Sequence, residues 1–162
     1  MRIQSPLILA ASLSALSAHA GTMNAGMWEI TSTVVSAAGP GIRPTMPKAP
    51  LVSKSCLTQA FVDRENYTNP EFSLNRLKRG KFECKVDSKT GDVRQATWAA
   101  SCTREDGFSA SFEGSSTLTA TTLAQTGAEH IKKGDELWTL IRIRIDAKYL
   151  GDKCDAGVIV VD

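Results

Sequence analysis

The sequence predicts an all-β domain: an antiparallel sheet of about seven to eight strands, curved or partly closed as a barrel or a sandwich. Three observations predict it. Residues 137–149 alternate with a period of two, which is typical of a strand with one buried face. Other short segments rich in β-branched residues are separated by clusters of glycine, proline and aspartate. Only one short segment has helical features, and four cysteines predict two disulfides.

The first third of the predicted domain holds two strands, the loop between them and the helix. Trp28, Ile30 and Val34 share one face of the first strand. The loop is predicted to be exposed, because its four prolines cannot donate to a sheet ladder. Thr58 is a suitable N-cap for the helix, and Asn69-Pro70 ends it. These elements are strand 27–36, loop 37–50, strand 51–56 and helix 59–66.

The remaining elements are strands joined by turns. The basic run over 76–81 is interpreted as a solvated connector, and 87–92 and 130–135 are interpreted as turns. The apolar end, 157–162, is either an added strand or a frayed terminus. The predicted strands are 82–86, 93–102, 107–118, 117–126 and 137–149. The residues of the last strand that are predicted to face the core are Leu137, Thr139, Ile141, Ile143, Ile145, Ala147 and Tyr149.

The four cysteines are interpreted as a disulfide framework. Zinc binding is disfavoured, because structural zinc sites usually bring ligands in close pairs such as CxxC, which this chain lacks. If the hairpin turns near Asp92-Val93, Cys84 faces Cys102 at a Cα separation that a disulfide can span. A turn centred on Thr90-Gly91 would shift the register and require a bulge. The favoured pairing, Cys84 with Cys102, leaves Cys56 with Cys154.

Residues 1–20 are predicted to be a cleaved export signal. Arg2 precedes an apolar run over 6–17, and Ala18-His19-Ala20 fits the small-x-small rule, with cleavage after Ala20. The run is shorter than the ~20 residues that a membrane-spanning helix needs, which disfavours an anchor. No later segment is apolar enough to be a transmembrane segment. We therefore predict one exported β domain over 21–162.

Composition excludes several classes of function. The net charge of +2 gives no general attraction to nucleic acid, and the aromatic and basic motifs of nucleic-acid recognition are missing. No glycine-rich phosphate cradle or dinucleotide motif follows a predicted strand, so we predict no cofactor. Met23, Met27 and Met46 are too sparse for a copper site.

Several short motifs occur in a definite order along the chain. Residues 25–31 read AGMWEIT, Cys56-Leu57-Thr58 follows the loop, Trp98 precedes Cys102 by four residues, and 151–154 reads GDKC. This order resembles the exported proteobacterial family called domain of unknown function 3617, which typically reads PGLWE, C-hydrophobic-TP, W-x-x-x-C and GDC. The chain departs from that pattern at Ala25, where proline is usual, and at the inserted Lys153. The loop is often methionine-rich in the family, whereas here it keeps only Met46. The resemblance implies a Gram-negative periplasmic location and carries no activity.

No catalytic constellation is predicted. A triad needs a base beside its nucleophile, and His130, the one histidine after the export signal, lies in a charged, turn-like stretch. Paired carboxylates drawn from scattered acids would instead give an envelope hydrolase, which is the alternative function. The acids considered for it are Glu29, Glu113, Asp146 and Asp152.

The main functional prediction is a non-catalytic binding or interaction module of the cell envelope, with an unknown ligand or protein partner. If the sheet closes into a barrel, an apolar ligand could bind in its mouth. A second candidate site is one face of strand 137–149, where guanidinium groups could bind an anionic head group or an acidic partner. The other interpretation of that face is a solvated surface that prevents edge pairing. Its residues are Arg142, Arg144, Lys148 and Trp138.

Overall fold

A computed structural model describes residues 23–42, 49–64 and 70–161. The predicted export signal and its cleavage site, and residues 43–48 of the predicted loop, lie outside these ranges. The elements are β1 (Gly26–Ala38), β2 (Leu51–Leu57), α1 (Gln59–Arg64), α2 (Pro70–Arg79), β3 (Glu83–Gly91), β4 (Gln95–Thr103), β5 (Phe108–Leu118), β6 (Thr122–Lys133), β7 (Glu136–Gly151) and β8 (Ile159–Val161).

The eight strands form one sheet in the order β3-β4-β5-β6-β7-β1-β2-β8. Neighbouring strands are antiparallel except β8, which pairs in parallel with β2. The sheet is not closed, because β3 and β8 are its two edges and do not pair with each other. The predicted β fold is confirmed, and the structure has a single open sheet in place of a barrel or a sandwich. The apolar end of the chain is an added strand, β8.

The helices and two apolar clusters lie on the same face of the sheet, which we call the covered face. Phe61 and Val62 of α1 belong to the first cluster, and Leu74 and Leu77 of α2 belong to the second. The first cluster is Met23, Trp28, Leu57, Phe61, Val62, Leu118, Leu123 and Ala147. The second is Leu74, Leu77, Phe82, Trp98, Ala100, Cys102, Ala110 and Phe112.

The prediction of a single short helix is wrong, because α2 is a second one. α1 begins as predicted, with the Phe61 amide donating to the hydroxyl of Thr58 at 3.1 Å. Pro70, interpreted as a helix stop, is instead the first residue of α2. Proline suits that position, because its fixed φ is helical and a first-turn amide has no intrahelical acceptor. Leu74 and Leu77, three residues apart, are then buried, so part of the predicted basic connector is helical.

The hairpin between β3 and β4 keeps the predicted register with a shorter turn. Residues interpreted as a turn from 87 onward belong to β3 as far as Gly91, and a bulge between Val86 and Ser88 absorbs the difference. The Asp92 carboxylate accepts hydrogen bonds from the amides of Arg94 and Gln95, which lowers its pKa. Because the bulge compensates for the shorter turn, Cys84 still faces Cys102 directly.

Two other predicted boundaries are also wrong. The prediction of a turn over 130–135 is wrong for its first four residues, which continue β6 as far as Lys133. The turn itself is at Gly134, whose φ of +60° suits a residue without a Cβ. The predicted strand over 117–126 is interrupted, because a turn over 119–121 separates β5 from β6. There, the side chain of Thr119 accepts hydrogen bonds from the amides of Thr121 and Thr122.

Both predicted disulfides are present. Cys84–Cys102 joins β3 to β4 with a Cα–Cα distance of 4.1 Å. Cys56–Cys154 joins β2 to the segment between β7 and β8 with a Cα–Cα distance of 5.6 Å. Because all four sulfur atoms are in disulfides, no cysteine of this chain is a free thiolate for a metal.

Candidate binding site

The three cations of the predicted anion-binding face lie exposed on the face of β7 opposite the helices, which we call the outer face. Arg144 donates to the carboxylate of Asp146 through two hydrogen bonds of 2.7 and 2.9 Å. Lys148 is 2.8 Å from Oε1 of Glu29. Two of the three cations therefore already hold a carboxylate. Arg142 has no such ion pair within the described ranges.

The structure places Trp138 apart from these cations. A bulge interrupts the pairing of β6 with β7 at this point, since Ile131 pairs with Thr139 and Lys132 pairs with Leu137. The Trp138 ring meets Phe108 edge-on at 5.7 Å, and its carbonyl accepts the Gly41 amide at 2.8 Å. The same bulge leaves Leu137 exposed, so the prediction that Leu137 faces the core is wrong. The anion-binding face stays a prediction, and within the described ranges its cation without an ion pair is Arg142.

The four candidate acids have separate surroundings. Glu29 and Asp146 hold the cations named above, and Asp152 accepts a hydrogen bond from the Tyr149 hydroxyl. Glu113 lines a shallow outer-face depression together with Arg142. Within the described ranges, no group of three or more His, Cys, Asp or Glu side chains is placed to hold a metal ion.

The hydrogen bond between Tyr149 and Asp152 predicts a pH dependence of stability. That bond, with burial and the negative charge of Asp152, raises the pKa of Tyr149 to about 12. A pKa raised above the unfolded value of about 10 stabilises the fold below pH ~10, and this contribution is lost as the pH rises toward 12. The urea midpoint of the wild type should therefore be higher than that of Tyr149→Phe at pH 8. The difference between the two midpoints should be smaller at pH 11. A constant difference between these two pH values would contradict this assignment.

The covered face contains an apolar cavity of about 150 Å³ at the first apolar cluster. It forms where Ile30, Ala147 and Leu123 are aligned across β1, β7 and β6. The small Ala147 side chain between two larger ones leaves the space. Every side chain around the cavity is apolar, and the lining residues are Met23, Trp28, Ile30, Leu57, Leu123, Ile145 and Ala147.

The wall of this cavity is held by Trp28, which is completely buried. Its indole Nε1 donates to the carbonyl of Asn24 at 2.9 Å, and its ring lies 5.6 Å from that of Tyr149. The Tyr149 hydroxyl, whose one proton is donated to Asp152, lies 3.3 Å from the carbonyl oxygen of Ala25. These contacts fix the indole ring in one orientation, so the cavity has a defined shape.

A second cavity of about 120 Å³ adjoins the first and shares Ile145 with it. We call the two together the apolar trough. Ile143 and Ile145 both line the trough. They lie on the predicted core face of the strand, but the rest of the protein buries them only partly. The second cavity is lined by Ser32, Thr33, Val34, Ala49, Leu51, Ile143 and Ile145.

The fold and site define a small, disulfide-linked protein built on one open sheet, with an apolar trough on the face that carries its helices. The chain belongs to the family described as Protein of unknown function (DUF3617), whose model matches residues 23–154. The family resemblance is thereby confirmed. No curated protein and no solved structure matches this chain. In the described ranges, neither helix has the length and apolar composition to cross a bilayer.

Proposed function

We propose that this protein is an exported, non-catalytic binding module that holds the alkyl chain of a small amphiphile in the apolar trough. The observation that carries the proposal is the 150 Å³ cavity at Ala147, whose lining is wholly apolar. Three of the four candidate acids already hold a cation or a phenol, which disfavours the alternative function of an envelope hydrolase.

The size and lining of the cavity favour an alkyl or aromatic group. Cavities of about 150 Å³ lined by aliphatic and aromatic side chains stay dry and bind benzene or xenon. An apolar group that enters such a space gains dispersion contacts that the empty lining lacks. A peptide backbone would leave its amides without hydrogen bonds there, which costs free energy. Two adjoining cavities also suit an elongated chain better than a compact ligand.

A substitution at Ala147 tests the proposal. Ala147→Leu fills the cavity with apolar atoms, so the protein should remain folded and lose binding of benzene, the size-matched probe. Saturation-transfer NMR measures benzene binding, and urea denaturation measures stability. The matched control is Ala124→Leu, the same change at an exposed position of β6, which should bind benzene like wild type. No benzene binding by wild type, or equal binding by Ala147→Leu, would refute the proposal.

Export to the periplasm is the second part of the proposal. Disulfides form and persist in oxidising compartments, and this chain has two. The predicted signal over 1–20 and the family resemblance point to the same location. Mass spectrometry of protein from a periplasmic extract should give a chain that begins at Gly21. A chain in that extract that retains Met1 would contradict the cleavage.

A further inference from the structure

The outer-face depression has a volume of about 420 Å³ and is lined by two charges of opposite sign, Glu113 of β5 and Arg142 of β7. Neither charge has an ion pair within the described ranges. The two other cations of this face of β7 each hold a carboxylate. The depression therefore presents a carboxylate that can accept from a cationic group and a guanidinium that can donate to an anionic group.

The strand register sets the spacing of these two charges. Glu113 pairs with Ala128 and Ala128 pairs with Arg142, so the three residues form one row across β5, β6 and β7. Two strand spacings of ~4.8 Å separate the Cα atoms of Glu113 and Arg142 by about 10 Å. Side chains stand roughly perpendicular to a sheet, so the two charged ends keep about this separation. Ala128 has only a methyl group, which leaves the space between them open.

A pair of hydroxyl groups belongs to the same depression. Ser115 and Thr126 both line it, and their side-chain oxygens are 2.7 Å apart, so one hydroxyl donates to the other. The hydroxyl that accepts keeps its own proton, because a hydroxyl group is both a donor and an acceptor. Thr126 is two residues from Ala128 on the same face of β6. The depression therefore has a hydroxyl donor for an anion in addition to the guanidinium of Arg142.

We propose that the outer-face depression binds a small zwitterion, whose ammonium group pairs with Glu113 and whose carboxylate pairs with Arg142. Each of these contacts takes up about 2.8 Å, which leaves about 4 Å between the nitrogen and the carboxylate oxygen of the ligand. Two methylene groups span that distance. The ligand class is therefore a short ω-amino acid, and β-alanine has the required spacing.

The arrangement of charges favours a zwitterion over an ion of one sign. An anion at Arg142 would lie near the carboxylate of Glu113 and be repelled by it, and a cation at Glu113 would be repelled by Arg142. A ligand that carries both charges pairs with each side chain and leaves neither without a counter-ion. This inference extends the predicted anion-binding face by Glu113, and it is independent of the apolar trough on the covered face.

The test is a ¹H–¹⁵N titration of the whole protein with β-alanine at pH 7 and low salt. β-Alanine should shift the amide resonances of Ala128 and Thr126 with a Kd in the millimolar range, because both ion pairs are exposed to solvent. Propylamine and propionate, which carry one charge each, should bind about tenfold more weakly. Propionate that binds as well as β-alanine would show a site for anions alone and overturn the inference, as would a wild type that binds none of the three.

Variants of the two charged residues identify the contacts. Glu113→Gln and Arg142→Gln keep the size of the side chain, and each should weaken β-alanine about tenfold. The exchanged pair, Glu113→Arg with Arg142→Glu, should recover binding, because the ligand can bind in the reverse direction. The matched control is Arg94→Gln at an exposed turn.

The outcomes separate this inference from the proposed function. All four positions are exposed or on the outer face, so every variant should fold and bind benzene like wild type. Unchanged affinity for β-alanine in both single variants would overturn the inference, and so would an exchanged pair that binds no better than either of them. Neither result would affect the trough.

Discussion

Replacement of both Cys56 and Cys154 by alanine is expected to lower the free energy of unfolding by about 2–5 kcal/mol. The bond links residues 98 apart in sequence, and long closed loops restrict the unfolded chain most. It also holds the segment before β8, a strand that pairs with β2 through only three residues. Urea denaturation without reductant measures the change.

The other disulfide provides the comparison for this prediction. Replacement of Cys84 and Cys102 opens a loop of only 18 residues between β3 and β4, which are already paired along nearly their whole length. The loop-entropy relation gives about 3 kcal/mol for a loop near this length and about 4.7 kcal/mol for one near a hundred residues. An equal or larger loss from the Cys84–Cys102 change would contradict the proposed role of the long-range bond.

Trp28→Ala is expected to lower the free energy of unfolding by about 3–5 kcal/mol. Its indole is completely buried in the first apolar cluster, and alanine would leave a void that joins the cavity at Ala147. The substitution also removes the hydrogen bond to the Asn24 carbonyl and the ring contact with Tyr149. Chemical denaturation gives the free energy, and the same curves report whether unfolding remains cooperative.

Trp138→Ala is the matched control, because Trp138 is 39% exposed and lies at a bulge. Its loss should cost about 1 kcal/mol, which is the centre of the range for point substitutions in general. Equal losses from the two tryptophan substitutions would show that the first cluster does not dominate the stability of this fold.

The features that the sequence predicted best are those set by local pattern. The alternation over 137–149 predicted the two faces of β7 from Thr139 onward, and the position of Cys84 opposite Cys102 predicted the register of the β3–β4 hairpin. The second helix was missed because Pro70 was interpreted only as a stop. Proline also begins helices, and the spacing of Leu74 and Leu77 was the available signal.

The features that were not predicted depend on residues distant in sequence. Whether the sheet closes depends on the pairing of its two edge strands, and no local pattern contains that information. The cavity at Ala147 arises because Ala147 lies between Ile30 and Leu123, and these three residues are on three different strands. The burial of Trp98 likewise depends on other strands, because its indole lies on Gly114 and stacks on Phe112, both on β5.

The most direct test of the central claim, that the trough holds an alkyl chain, is the position of a bound chain in solution. Nuclear Overhauser effects between methyl octanoate and protein labelled at alanine and isoleucine methyl groups report that position. The account predicts contacts from the alkyl protons of the ligand to Ala147 and Ile145. Contacts to outer-face alanines such as Ala124, with none to Ala147, would contradict it.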